Sequence, residues 1–214
     1  MRDRNLYRHE QAIKVEDRWK ANGSRSCVIW FTGLSASGKS TLANGLEKVL
    51  HDMGVKSYLL DGDNIRHGLN KDLGFSAEDR HENIRRIAEV SRLLLDAGLV
   101  VLTAFISPFK ADREEAREIM RSGEFIEIFL KCPVSECEKR DPKGIYKRAK
   151  CGEIKEFTGI SSPYEEPENP EIVIETDKLS PEVSVNVLVS YLITNGYIDK
   201  NRKSNKFRKS NSKY

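Results

Sequence analysis

Nine consecutive residues, Gly33-Leu34-Ser35-Ala36-Ser37-Gly38-Lys39-Ser40-Thr41, set two glycines five positions apart and follow the second with a lysine and two hydroxyls. Glycines at this spacing let the backbone curl so that successive N–H groups point at one phosphate chain. Lys39 then reaches the β/γ oxygens, and the Ser40 hydroxyl is a ligand for Mg²⁺. Chance alone yields the pattern in on the order of one percent of chains this long. A plain glycine-rich helix cap is therefore set aside in favour of ATP or GTP binding. GTPases read the base with Asn-Lys-x-Asp. Asn70-Lys71-Asp72-Leu73 starts that way but has Leu where the second Asp belongs, and it lies too near the preceding strand. ATP is the expected donor.

Further groups suited to phosphoryl transfer follow. Asp61 and Asp63 stand in Leu60-Asp61-Gly62-Asp63-Asn64, where paired carboxylates can hold Mg²⁺ or accept a proton from an attacking hydroxyl. An ordinary Asp-Gly turn would explain them without the loop upstream. Ser76-Ala77-Glu78-Asp79 is a capping box opening a helix whose apolar stripe is Ile84, Ile87, Ala88, Leu94 and Leu95. At 100° per residue Arg80 and Asn83 fall on that inward stripe, and an inward arginine is expected to meet an anion. Arg66 offers a second cation, Phe75 a ring for stacking on a base, and Ser107 a hydroxyl at a strand's carboxyl end. Residues 138–170 carry Arg140, Lys143, Lys147, Arg148, Lys150 and Lys155 around Phe157-Thr158-Gly159-Ile160. A long basic connection of this kind reads as a mobile lid that neutralises charge on the γ-phosphate, in preference to a solvated charge run.

These residues need a scaffold that brings loop ends together. Cys27–Thr32, Ser57–Leu60, Leu99–Phe105, Phe125–Leu130 and Glu171–Thr176 read as strands, several apolar on both faces. Helical segments fall at about Lys39–Met53, Ala77–Ala97, Ala111–Arg121 and Pro181–Asn195. The alternation predicts a single-domain α/β P-loop NTPase fold, a parallel sheet flanked by helices on both faces, with ligands at the carboxyl ends of the strands. The expected layout is an N-terminal segment (1–24), the kinase domain (25–198) and a disordered basic tail (199–214).

Composition agrees. The 214 residues are 38% hydrophobic and 32% charged, an ordinary globular balance, with no run long enough to cross a membrane. The first residues lack the apolar core of an export signal, so a cytoplasmic location is expected. Cys27, Cys132, Cys137 and Cys151 supply no complete zinc pattern and read as free thiols. The net charge of +3 hides an asymmetry: residues 199–214 carry +6, leaving −3 on the rest. That tail reads as a solvated end, with no specific nucleic-acid partner expected.

Taken together, WFTGLSASGKSTLA, LDGDNIRHGLNKDLGFSAEDR, HENIRRIAEV, FISPFKADRE, RDPKGIYKRAKCGEIKEFTGI and PYEEP resemble the adenylylsulfate kinases, from about Trp30 to Ile198. The resemblance implies ATP and Mg²⁺ as cofactors and adenosine 5′-phosphosulfate as the acceptor. It implies that Gly33 to Thr41 hold the ATP phosphates and that Ser40 and Asp63 hold Mg²⁺. Asp63, with Asp61 beside it, would activate the 3′-hydroxyl, with Asn64 in the same substrate turn. Arg66, Arg80 and Asn83 would grip the phosphosulfate, and Phe75 and Phe157 would sandwich its adenine. Lys143 would meet the transferring phosphate, Arg140 would cover the ATP adenine, and Ile106 and Ser107 match the substrate loop. Ser107 is also the position that some members phosphorylate. Ala36 departs from the glycine many members carry there. A stand-alone kinase and a homodimer are expected. Two other readings stay open: a P-loop kinase for a different small acceptor, and a regulatory module that binds without turnover. Such a module would be expected to lose Lys39, Ser40 or Asp63, all of which are present.

Overall fold

The computed structural model describes Tyr7 and residues 9–201. Strand β1 (Cys27–Thr32) is buried at every position. It is the middle strand of a five-stranded sheet whose order is β2-β3-β1-β4-β5. The neighbours are β2 (Ser57–Asp61), β3 (Val100–Ala104), β4 (Phe125–Lys131) and β5 (Ile172–Glu175), and every pairing is parallel. Period-two alternation sends Cys27, Ile29 and Phe31 to one face and Val28 and Trp30 to the other.

The first face is covered by α2 (Lys39–Asp52), through Leu42, Ala43, Leu46 and Leu50, and by α8 (Pro181–Thr194), through Val185, Leu188 and Leu192. The second is covered by α4 (Ala77–Asp96) and α5 (Lys110–Glu118), with Ile84, Ile87, Ala88 and Ala116 packed against Trp30. Helices on both faces explain the two-sided apolar strands. Each strand and long helix falls within three residues of its expected ends.

Four short helices were not legible in advance. Helix α1 (Val15–Asn22) buries only Val15 and is held by polar contacts: Arg18 donates to the Asp96 carbonyl at 2.7 Å and Asn22 to the Gly98 carbonyl at 2.9 Å. A single buried residue gives no periodic signal. Helix α3 (Gly62–Arg66) is one turn long. The basic stretch is not a bare loop but carries the end of α6 (Val134–Arg140) and all of α7 (Ile145–Lys150). Tyr146 and Phe157 are buried there with Leu34, Cys132 and Cys137 in a small core of their own. Of the expected tail, residues 202–214 lie outside the described residues. Cys27, Cys132 and Cys137 are buried free thiols, and Cys151 is an exposed one. Among the described residues no helix is long and apolar enough to cross a membrane.

Arg113 of α5 fastens the top of the sheet. Its side chain is 3% exposed and forms an ion pair with Glu127 of β4 at 2.8 Å. It also donates to the carbonyls of Ser107 (2.6 Å) and Glu165 (2.7 Å). Replacing it by alanine leaves the buried Glu127 with Arg117 alone, at 3.3 Å, and takes a donor from two carbonyls, an expected loss of roughly 3 kcal/mol. Denaturant unfolding of Arg113→Ala checks this. A change under about 1 kcal/mol would mean the pair is not the fastener described here.

Candidate active site

The loop after β1 wraps a space at the sheet's carboxyl edge. Gly33 (φ 148°) leaves no room for a side chain: a Cβ there would lie 2.7 Å from the Leu130 carbonyl oxygen. Gly38 (φ 99°) turns the chain into α2. Ala36 adopts φ 60°, the left-handed region, which explains why glycine suits that position. Lys39 is buried, and its Nζ donates to the carbonyls of Gly33 (3.0 Å) and Leu34 (2.6 Å). Burial pulls its ammonium down to about 8.

Asp61 ends β2 and caps α3, accepting a bond from the Asp63 N–H at 3.1 Å. Its other oxygen accepts from the Ser40 hydroxyl at 2.7 Å. Asp63, one residue into the helix, faces the opposite way and forms an ion pair with Lys143. The capping turn thus splits the two carboxylates between the phosphate loop and the basic stretch.

The space these groups face is a cavity of about 790 Å³. Lys39, Ser40, Asp61, Asp63 and Lys143 line it on one side, and Arg66, Phe75, Arg80, Asn83 and Phe157 on the other. Ile106 and Ser107 line it from the end of β3. Ser107 is 2% exposed with φ 41°, and its Oγ accepts from Trp30 Nε1 at 3.1 Å. Asn64 and Arg140 are not part of this lining. Asn64 sits exposed on α3, and Arg140 donates to the Thr176 carbonyl at 2.7 Å.

Arg80 turns inward and, among the described residues, forms no ion pair. It donates to the Phe75 carbonyl (2.8 Å), the Glu156 carbonyl (2.5 Å) and the Thr158 hydroxyl (3.0 Å). Arg66 likewise donates to the Leu73 and Gly74 carbonyls. Burial lowers both guanidinium groups, and their mutual repulsion adds to the shift of Arg66. Both phenylalanines line the cavity, and each has a neighbour of its own. Phe75 has Arg66 at 4.4 Å and Arg80 at 5.9 Å over its ring, and Phe157 packs edge-on against Tyr146 at 4.8 Å.

Arg148 and Thr158, named from the sequence only as members of the basic stretch, also line the cavity, as does Ile145, which sequence reasoning missed. It also missed Tyr146, whose hydroxyl donates to the Ser35 carbonyl at 3.0 Å and pins the basic stretch to the phosphate loop. An aromatic residue among lysines was the available signal.

A phosphate loop behind the central strand of this parallel sheet, with acids at the end of the next strand, defines a P-loop kinase. The profile of the adenylylsulphate kinase family matches residues 25–175, and the chain belongs to that family. It is 61% identical over 184 residues to the probable adenylyl-sulfate kinase of Halalkalibacterium halodurans, covering 86% of this chain and 91% of that one. The adenylyl-sulfate kinase of Staphylococcus haemolyticus is 60% identical over 188 residues, 88% of this chain and 94% of its own. Among solved structures, the Mycobacterium tuberculosis APS kinase CysC in complex with AMPPNP and APS superposes with a TM-score of 0.76 at 46% identity. That match covers 79% of this chain and 98% of the other.

Proposed function

We propose that this chain transfers the γ-phosphate of ATP to the 3′-hydroxyl of adenosine 5′-phosphosulfate, giving ADP and 3′-phosphoadenosine 5′-phosphosulfate. One observation carries the reading: a single cavity joins a phosphate loop to a second cationic pocket built from Arg66 and Arg80, whose guanidinium groups hold only neutral partners. Two partly buried cations with no carboxylate in ion-pair contact among the described residues favour an anionic acceptor.

In this reading the loop amides and Lys39 take the ATP phosphates, with Lys39 giving up two backbone carbonyls for phosphate oxygens. Arg66, Arg80 and Asn83 take the phosphosulfate. Phe75 and Phe157 flank its adenine once the guanidinium groups shift from the Phe75 ring to the anion. Asp63 accepts the proton of the 3′-hydroxyl, and Lys143, already beside it, follows the transferring phosphoryl group. Ile106 and Ser107 close the acceptor side, and Arg140 covers the ATP base. Direct in-line transfer requires no covalent step at Ser107. Ser40 Oγ and Asp61 Oδ2, 2.7 Å apart at the loop's edge, are the hard oxygen donors that Mg²⁺ takes, and they would hold it. When bound, the ion offsets charge on the β- and γ-phosphates. Cytoplasmic location and homodimeric assembly belong to the same reading, and light scattering tests the second.

The deciding measurement is ADP release from ATP·Mg²⁺ with adenylylsulfate, run in parallel with AMP. Turnover with adenylylsulfate alone is expected. Tight binding without ADP release would replace the enzyme by a regulatory module, and turnover with a different acceptor would leave a P-loop kinase of other specificity.

A further inference from the structure

Asn70 belongs to the stretch that imitates a guanine-reading motif, and the structure gives it other work. It is fully buried in the turn after α3, and it does not line the cavity. Its Nδ2 donates to Asn83 Oδ1 at 2.9 Å. Asn83 itself lies one turn beyond Arg80 on α4, is 4% exposed and does line the cavity. The surrounding turn is fixed to α4 on both sides. Asp72 takes both terminal nitrogens of Arg86 at 2.8 Å, and Asp79 accepts from the Gly74 N–H at 3.0 Å. Asn70 therefore reaches Asn83 from a rigid support.

A carboxamide has a donor end and an acceptor end, and its orientation is set by whichever end is held. Here the oxygen of Asn83 is held, which leaves its N–H₂ for the cavity. Beside the inward guanidinium groups of Arg66 and Arg80, this adds a third donor to one wall of the cavity. Turning both amides over would supply a partner to Asn70 Oδ1, which is buried without one. It would also bury the Asn70 N–H₂ with no acceptor and aim the Asn83 carbonyl at the anion. The orientation described keeps the bond to Asn83 and turns the N–H₂ of Asn83, and not its carbonyl, toward the anion.

We infer that Asn70 is a positioning residue that locks the Asn83 amide with its N–H₂ toward the anionic group of the acceptor. The inference rests on the function proposed above and deepens its acceptor specificity.

The test compares wild type, Asn70→Asp and Asn70→Ala in the full chain, measuring kcat, both KM values and thermal unfolding. An ionised carboxylate at this position can only accept, so it draws the Asn83 N–H₂ away from the cavity. The acceptor KM is expected to rise by about tenfold or more in Asn70→Asp. Asn70→Ala merely releases the amide and should raise it by about threefold. The ATP KM should stay within about twofold in both, as neither change touches the phosphate loop.

The order of effects is the signature, because a packing role would penalise alanine, the larger loss of volume, more than the isosteric acid. Equal acceptor KM in all three proteins overturns the inference. So does a Tm loss accompanied by parallel changes in both KM values. Should Asn70→Asp not fold, an acceptor KM unchanged in Asn70→Ala overturns it as well. Wild type that turns over adenylylsulfate while the variants match it sinks only the role of Asn70. Wild type that neither binds nor phosphorylates adenylylsulfate sinks the proposed function, and this inference with it.

Discussion

Lys39→Met is expected to lower kcat by about 10³-fold while leaving the fold intact. Lys39 is buried, and its ammonium holds two backbone carbonyls of its own loop, at 3.0 and 2.6 Å. Those carbonyls offer partial charge only, so burial wins and the group is pulled down to about 8. Methionine follows a similar path without the desolvated charge, so thermal unfolding should shift little. The missing cation is instead felt where γ-phosphate charge develops, in a site that water cannot screen. The same lysine predicts a pH dependence. Bound phosphates favour the charged form, so its value in the complex lies above that in the free protein. ATP affinity is then full below about pH 8, where the free ammonium is already charged. It falls as pH rises from there, because binding must take up a proton. Calorimetric titration with ATP between pH 7 and 9.5 checks the sign. The slope should vanish in Lys39→Met, and a slope that survives the substitution would assign it to another group.

How far the site could be read in advance depended on the kind of physics placing each residue. The phosphate loop was legible because its geometry is local: Gly33, Gly38 and Lys39 act through backbone angles set within nine residues. The sheet was legible because buried parallel strands are apolar on both faces. The inward turn of Arg80 and Asn83 also followed from helical period alone. What they touch did not, since the partners of Arg80 are Phe75, Glu156 and Thr158, the last two some 76 and 78 residues away. Period gives direction, and only tertiary packing gives partners. The same limit hid the split between Asp61 and Asp63, which depends on Asp61 standing at the cap of a one-turn helix and Asp63 inside its first turn. Residues 138–170 misled in another way. Their many lysines masked a small core, since Tyr146 and Phe157 are too widely spaced to form a periodic stripe.

Asp63→Asn should separate the two carboxylates. Asparagine keeps the shape and the helix turn but cannot accept the proton of the acceptor hydroxyl, so kcat is expected to fall by roughly 10²–10⁴-fold. The ATP KM should change little, because the Asp63 carboxylate is bonded to Lys143 and, among the described residues, makes no hydrogen bond to the phosphate loop. Asp61→Asn should behave differently. Its carboxylate meets the Ser40 hydroxyl at 2.7 Å, so its loss should raise the Mg²⁺ concentration needed for half-maximal rate. Asp63→Asn should leave that concentration nearly unchanged. Removing Lys143 adds a second axis. With Asp63 and Lys143 joined across 80 residues of sequence, the effects of Asp63→Asn and Lys143→Met on kcat should be less than additive in the double variant. Each single change already disables the shared step, so the second has less left to remove. Strict additivity would mean that the ion pair merely closes the basic stretch over the site and that the two residues act in separate steps. A Mg²⁺ requirement shifted by Asp63→Asn instead would reverse the assignment of the two acids.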